Sequence, residues 1–424
     1  MVFILADDVS AKEYTLYGGN GISTPRLDEL AREGLVFQTA WTSPVCGPSR
    51  AILQTGRYPA RTGYYGNWVI PEMDTFVSEN LFLPQILGAA GYRTAVFGKL
   101  HTGHHGLTPK DYGYDYHYIW GYWKNHDGPR LNDHPGQSGV TRFWHPGLIR
   151  NGEGVDTGSD DFGPDILIDD LNRFIADSRD VPFYAFYSAL LPHLERNTDG
   201  DWDYTPVPNL DQEGARKPGR TPGNLKSNLE YLDHLIGRVV DQLDRLNMRD
   251  NTLIIFAGDN GSIGYGKNKT TSERGPRVPF VVHGPGIVGT TGTTTALMDF
   301  SDILPTLAEL CGARLPEAYA IDGRSFAVLL TGDDYQPREW IFTQFNERVW
   351  LRDENWLLDG DGDFFYCGTE RNETAGYRNV TRSTDPTVEN AKARFQAILA
   401  SLPATDFDSP HLKPQWERHF EPSN

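Results

Sequence analysis

Val2-Phe3-Ile4-Leu5-Ala6-Asp7-Asp8 opens the chain with five apolar residues and stops on two adjacent carboxylates. A short apolar run without alternation reads as a strand buried on both faces, the pattern of a parallel sheet covered by helices. Three later runs repeat it. Tyr92-Arg93-Thr94-Ala95-Val96-Phe97 ends in Gly98-Lys99-Leu100-His101. Pro182-Phe183-Tyr184-Ala185-Phe186-Tyr187 leads through Ser188 to Leu191-Pro192-His193, and Leu253-Ile254-Ile255-Phe256-Ala257 ends in Gly258-Asp259-Asn260-Gly261. Ligands of open, mostly parallel sheets bind just beyond the carboxyl ends of the strands. Here those ends would bring together carboxylates, an amide, a lysine and two histidines.

Helical patterns lie between the runs, as crossover connections require. Residues 24–33 carry Thr24 as a cap, Pro25 at the first position and Gly34 as a stop. Residues 83–87, 228–246 and 302–310 also have helical spacing, with Asp302 read as a cap. The expected fold is α/β, a large mostly parallel mixed sheet sandwiched by helices. After Gly332 the character changes. Four short apolar-aromatic segments (339–344, 347–351, 355–358 and 363–366) and a helical stretch at 389–399 predict a smaller C-terminal antiparallel sheet plus helix. The expected domains are therefore 1–335, catalytic, and 336–424. Residues 104–150 and 196–225 have weak periodicity, and long loops in an α/β enzyme often shape a substrate mouth.

Acidic residues outnumber basic ones, 57 to 39, for a formal charge of −18 over 424 residues. That balance argues against a nucleic-acid partner. An anionic substrate would have to be drawn in by a local cationic cleft. Cys46, Cys311 and Cys367 are too few for a disulfide scaffold; the last two could be paired or free. No apolar run is long enough to span a membrane. Met1 abuts the first strand, which suggests a removed leader and a periplasmic or secreted protein, with the cytoplasm left open.

The chemistry centres on Pro44-Val45-Cys46-Gly47-Pro48-Ser49-Arg50-Ala51-Ile52-Leu53-Gln54-Thr55-Gly56-Arg57. Pro48 suits the first turn of a helix and Gly56 a left-handed end. Cys46 then sits at a helix N-terminus, where free N–H groups favour negative charge, and Arg50 adds a fixed cation one turn on. Asp7, Asp8, Asp259 and Asn260 offer hard oxygen ligands from two strand ends. Such a set suits Ca²⁺, or Mg²⁺, better than zinc.

These segments resemble type I sulfatases of the alkaline phosphatase-like superfamily. Cys46-Gly47-Pro48-Ser49-Arg50 and the following Thr55-Gly56-Arg57 are similar to the family signature. Ile4-Leu5-Ala6-Asp7-Asp8 and Asp259-Asn260-Gly261 resemble its metal motifs, Gly98-Lys99-Leu100-His101 its lysine-histidine motif, and Pro192-His193 its next histidine. The resemblance extends from Val2 to about Gly332. It implies that a maturation enzyme converts Cys46 to formylglycine, whose hydrate attacks sulfur, with residue 46 joining the metal ligands. It implies charge neutralisation by Arg50, Lys99 and Lys269, proton removal by His101, and protonation of the leaving alcohol by His193 or Lys269. One segment departs from the family pattern: Glu273-Arg274-Gly275 stands where Glu-Gly-Gly is usual. The catalytic lysine is assigned to Lys269, with Lys267 as the alternative.

The expected activity is hydrolysis of a sulfate ester on a carbohydrate. A phosphonate monoester hydrolase or phosphodiesterase is the alternative, because sulfate and phosphate diesters share size, shape and charge. A glycan-binding relative without activity and a plain thiol hydrolase fit the intact motifs less well. Substrate contacts are expected from His104, His105, His126 and Arg130, with Tyr118, Trp120, Tyr122 and Trp123 as stacking surfaces.

Overall fold

A computed structural model describes residues 1–102, 107–121, 142–196, 201–333, 335–368 and 376–405. At its centre five strands run parallel, in the order Ile254–Gly258, Val2–Ala6, Phe183–Ser188, Arg93–Gly98, Tyr116–Trp120. Antiparallel strands extend both sides. Leu148–Arg150 and Glu153–Val155 follow Tyr116–Trp120, and Phe280–His283 pairs with Ile254–Gly258. Leu35–Trp41 then pairs antiparallel with Arg277–Val278 and Phe280–His283 and parallel with Gly292–Asp299. Among the described residues this sheet has eleven strands.

Strand alternation divides the core in two. Val2, Ile4 and Ala6 join the helices Pro25–Arg32, Gly163–Asp177 and Leu225–Arg245 on one face. Phe3 and Leu5 join Cys46–Thr55, Leu83–Ala89 and Ile303–Leu310 on the other. Each buried side chain contributes roughly 1.5–3 kcal/mol. Layers on both faces thus offset the several kcal/mol per ion of desolvating charge at the strand ends.

The C-terminal sheet runs Trp340–Phe345, Arg348–Asp353, Trp356–Leu358, Phe364–Tyr366 and Arg378–Asn379, all antiparallel, with the helix Pro386–Ser401 against it. It does not stand apart. Trp41 and Leu297 of the large sheet share an apolar cluster with Ile341, Trp350 and Leu357.

Two expected caps are corrected. Thr24 makes no capping bond; Asp233 caps that helix from a distance, accepting from the N–H groups of Arg26 (3.1 Å) and Leu27 (2.8 Å). Asp302 holds the N-cap position of Ile303–Leu310 but its carboxylate bonds backward, accepting from the Asp299 N–H at 3.1 Å to close the preceding turn. It is buried, accepting from the Arg324 N–H at 2.6 Å and from Arg338. A carboxylate satisfies whichever donor the fold brings nearest, which local sequence does not reveal. Residues 104–150, read as loop, contain the strand Tyr116–Trp120, whose Tyr118 and Trp120 are only 1% and 4% exposed. They pack as core, so they are not stacking surfaces.

Candidate active site

Parallel strands place their carboxyl ends on one edge, and four of these ends meet. At the end of Arg93–Gly98 the chain needs glycine: Gly98 has φ +95°, and a Cβ there would lie 2.0 Å from the Ser188 carbonyl. That close approach lets the Lys99 N–H reach the Ser188 carbonyl oxygen at 2.9 Å and turns the lysine inward. Its Nζ donates to both oxygens of Asp7, at 2.7 and 3.0 Å. Asp8, at φ +71°, directs its carboxylate to Asn260 Nδ2 (2.8 Å) and Lys267 Nζ (2.7 Å). Asp259 accepts from the Asp8 N–H at 2.9 Å and from Arg50 at 2.7 and 3.1 Å.

Cys46 begins the helix Cys46–Thr55, which Gly56 ends at φ +65°. Arg50, one turn on, is buried and donates also to Ser188 Oγ and to the Lys99 carbonyl at 2.9 Å. Asn67 fixes the helix start: its Oδ1 accepts from the Gly47 N–H at 2.9 Å, and its Nδ2 donates to Cys46 Sγ at 3.4 Å. His193 stands on the opposite side, with Nε2 3.1 Å from Lys267 Nζ and 3.5 Å from Asp8. His101, at φ +50°, is buried beside the same strand end. Backbone held in this region at a non-glycine residue costs energy that the surrounding contacts must offset.

Charge interlocks here. Burial raises the Asp7 carboxyl, yet Lys99, His193, Arg50 and Lys267 outweigh it and hold the pKa well below the usual range. Burial and the Asp7 charge push Asp259 up to about 7, against Arg50. Burial, then Arg142, lowers His193, while Asp8 and Cys46 raise Lys267 against the effect of burial.

The residues fit a divalent cation. Ligand atoms of Asp7, Cys46 and Asp259 lie within 4.8 Å of one another, as do those of Asp7, Asp8 and His193. Asn260 Oδ1 is buried with no hydrogen-bond partner, at a cost of about 1–3 kcal/mol that a bound cation would remove. The donors are mostly hard oxygens, which suit Ca²⁺ or Mg²⁺.

Asp7, Asp8, Cys46, Arg50, Lys99, His101, His193, Asp259 and Asn260 thus converge. Lys269 does not: it is exposed, and Lys267 is the lysine of this segment that reaches Asp8 and His193. Gly266 and Lys267 bond back to the Ser262 carbonyl, a turn that swings Lys267 inward two residues before the position expected from linear spacing. His104, His105, Tyr122, Trp123, His126 and Arg130 lie outside the described residues. Asn67 was not anticipated. Gly66-Asn67 signals a turn but not where its side chain points.

The Sulfatase family matches residues 1–313. The chain belongs to the sulfatase family. It is 31% identical to human arylsulfatase A over 385 residues, 81% of this chain and 69% of that protein. It is 28% identical to an ulvan-active sulfatase of Formosa agariphila over 363 residues, 79% of this chain and 65% of the relative. The chain thus spans about two thirds of the length of such curated relatives. Its fold is similar to the solved structure of Ps i-CgsB in complex with k-i-k-neocarrahexaose. That likeness has a TM-score of 0.70 and 21% identity and covers 99% of both chains. A phosphonate monoester hydrolase from Silicibacter pomeroyi shares the fold as well (TM-score 0.64, 18% identity, 94% of each chain). Cys311 and Cys367 are not joined in a disulfide, and among the described residues no helix is long and apolar enough to cross a membrane.

Proposed function

We propose that this chain hydrolyses a sulfate ester on a glycan, with residue 46 as nucleophile beside a divalent cation held by Asp7, Asp8, Asp259 and Asn260. The observation that carries this reading is the convergence of Cys46, three carboxylates and three cationic side chains at one strand edge of a sulfatase-family chain. The names of the ulvan-active relative and of the carrageenan-oligosaccharide complex support a sulfated glycan.

Formylglycine, made from Cys46 by a separate maturation enzyme, would supply a hydrated aldehyde as nucleophile, and the cation would polarise the sulfate oxygens. Everything else falls to the chain itself. Arg50 is locked by Asp259, Ser188 and the Lys99 carbonyl, so its charge needs no reorganisation during reaction. Lys99 and Lys267 are flexible point charges that can turn from their carboxylates to sulfate oxygens. In this reading His101, buried beside the same strand end, would take the proton whose loss releases sulfate. Lys267 and His193, 3.1 Å apart, would pass a proton to the departing alcohol.

Parallel assays on aryl sulfate and aryl phosphonate esters, with the mass of the Cys46 peptide, test the reading. We expect faster sulfate turnover that scales with the converted fraction of Cys46. Preferential phosphonate cleavage would overturn it in favour of the phosphonate hydrolase alternative.

A further inference from the structure

Among the described residues two tryptophans are mostly exposed, Trp68 at 58% and Trp202 at 55%. Both border the reactive cluster. Trp68 follows Asn67, the residue that holds Gly47 and touches Cys46 Sγ. Trp202 lies with its ring 6.3 Å from that of His193, centroid to centroid, at 64°. One therefore stands on the Cys46 side of the cluster, the other on the Lys267–His193 side.

Neither is carried by slack chain. The Trp68 turn is closed by the N–H groups of Tyr65 and Gly66 on the Val69 carbonyl (2.9 and 3.1 Å), and Asn346 bonds to Tyr65 from the C-terminal sheet at 2.8 Å. The turn thus points Asn67 inward and leaves the indole outward. Trp202 lies on a short strand whose partner, Glu195–Arg196, follows His193 in sequence. Exposed indoles held beside a reactive cluster offer flat apolar faces to a ligand bound there.

We propose that Trp68 and Trp202 are stacking platforms for the sugar rings adjoining the sulfate ester. The proposal rests on the glycan reading above and identifies what holds the rest of the substrate. Net charge supports this choice of grip: a −18 protein repels a sulfated polyanion at long range. Uncharged ring faces add affinity where further acidic surface would subtract it.

The test measures Trp68→Ala, Trp202→Ala and the matching Phe variants on 4-nitrophenyl sulfate and on sulfated ulvan, carrageenan and N-acetylgalactosamine oligosaccharides. Each Ala variant should lower kcat/KM on the best oligosaccharide about tenfold, the worth of one ring contact near 1.4 kcal/mol, chiefly through KM. Aryl sulfate turnover and thermal midpoint should stay close to wild type, and Phe should recover most of the loss. Equal losses on both substrate types, or none on the oligosaccharide, would overturn the platform assignment alone. Aryl sulfate turnover without cleavage of any oligosaccharide would overturn the glycan reading and the platforms with it.

Discussion

Two buried charged clusters sit on either side of the residue 259–277 segment, and they are built differently. At the strand ends Asp7 and Asp8 are neutralised by Lys99 and Lys267, and a buried acceptor, Asn260 Oδ1, is left without a partner. At the junction with the C-terminal sheet, Glu273 is enclosed by planar, fixed donors: Trp41 Nε1 at 3.0 Å, Arg352 at 2.7 Å and the Tyr377 hydroxyl at 2.5 Å. Both clusters carry desolvated carboxylates, so burial and charge alone do not mark a site. The difference lies in replaceability. Arg50 also forks onto Asp259. The ammonium groups on Asp7 and Asp8, however, have flexible stems and can give way to a metal ion or a sulfate, whereas these side-chain donors around Glu273 are planar or ring-borne groups. The first cluster fits the proposed site, and the second is built as a brace.

The largest effects should separate the two. Asp259→Ala should abolish divalent-cation binding and lower aryl sulfate turnover by at least about 10²–10³-fold, as expected when preorganised electrostatics is removed. Metal analysis alongside kinetics checks it. Arg352→Ala should leave buried Glu273 with only the more distant Arg277 charge at 3.9 Å, costing up to about 3–5 kcal/mol in urea unfolding while turnover per folded molecule stays near wild type. A stable Arg352→Ala enzyme without activity would erase the distinction. Next in size, Lys267→Ala should cost about 10²-fold in kcat. Exposed Lys269→Ala should change it by no more than about twofold. Kinetics on the two single variants would break the assignment of Lys267 if their order were reversed.

The legible parts of this molecule are those where chemistry and backbone period coincide. Val2–Ala6 could be read as a buried strand from its unbroken apolar run, and parallel packing then located Asp7, Asp8, Lys99 and Asp259 without any side-chain detail. Lys267 could not be told from Lys269, because the choice depends on a turn closed on the Ser262 carbonyl. Linear spacing does not report such a turn. Aromatic residues misled for a related reason. Tyr118 and Trp120 sit in a segment poor in periodicity, yet a strand of the sheet carries them into the core. Trp68 attracts no notice until the turn around Asn67 is seen. Exposure of an aromatic is a tertiary property.

The smallest expected effect concerns the brace and its dependence on pH. Burial alone would raise the Glu273 carboxyl, but the charges of Arg352 and Arg277 and the bonds from Tyr377 and Trp41 hold its pKa below the usual range. In acid the folded chain therefore binds fewer protons at this residue than the unfolded chain does. Its contribution is present above the ordinary carboxylate range and is lost as pH falls through the folded value. Glu273→Gln lacks that titration. The stability gap between wild type and Glu273→Gln should thus be widest near neutrality and narrow on acidification, by at most about 1.4 kcal/mol per pH unit for a single proton. Urea unfolding of both proteins from pH 7 downward reads the gap directly. A gap that stays constant into acid would mean that Glu273 braces the junction by shape and hydrogen bonding alone. The contrast with the strand-end cluster would then rest on packing, with charge playing no part in the brace.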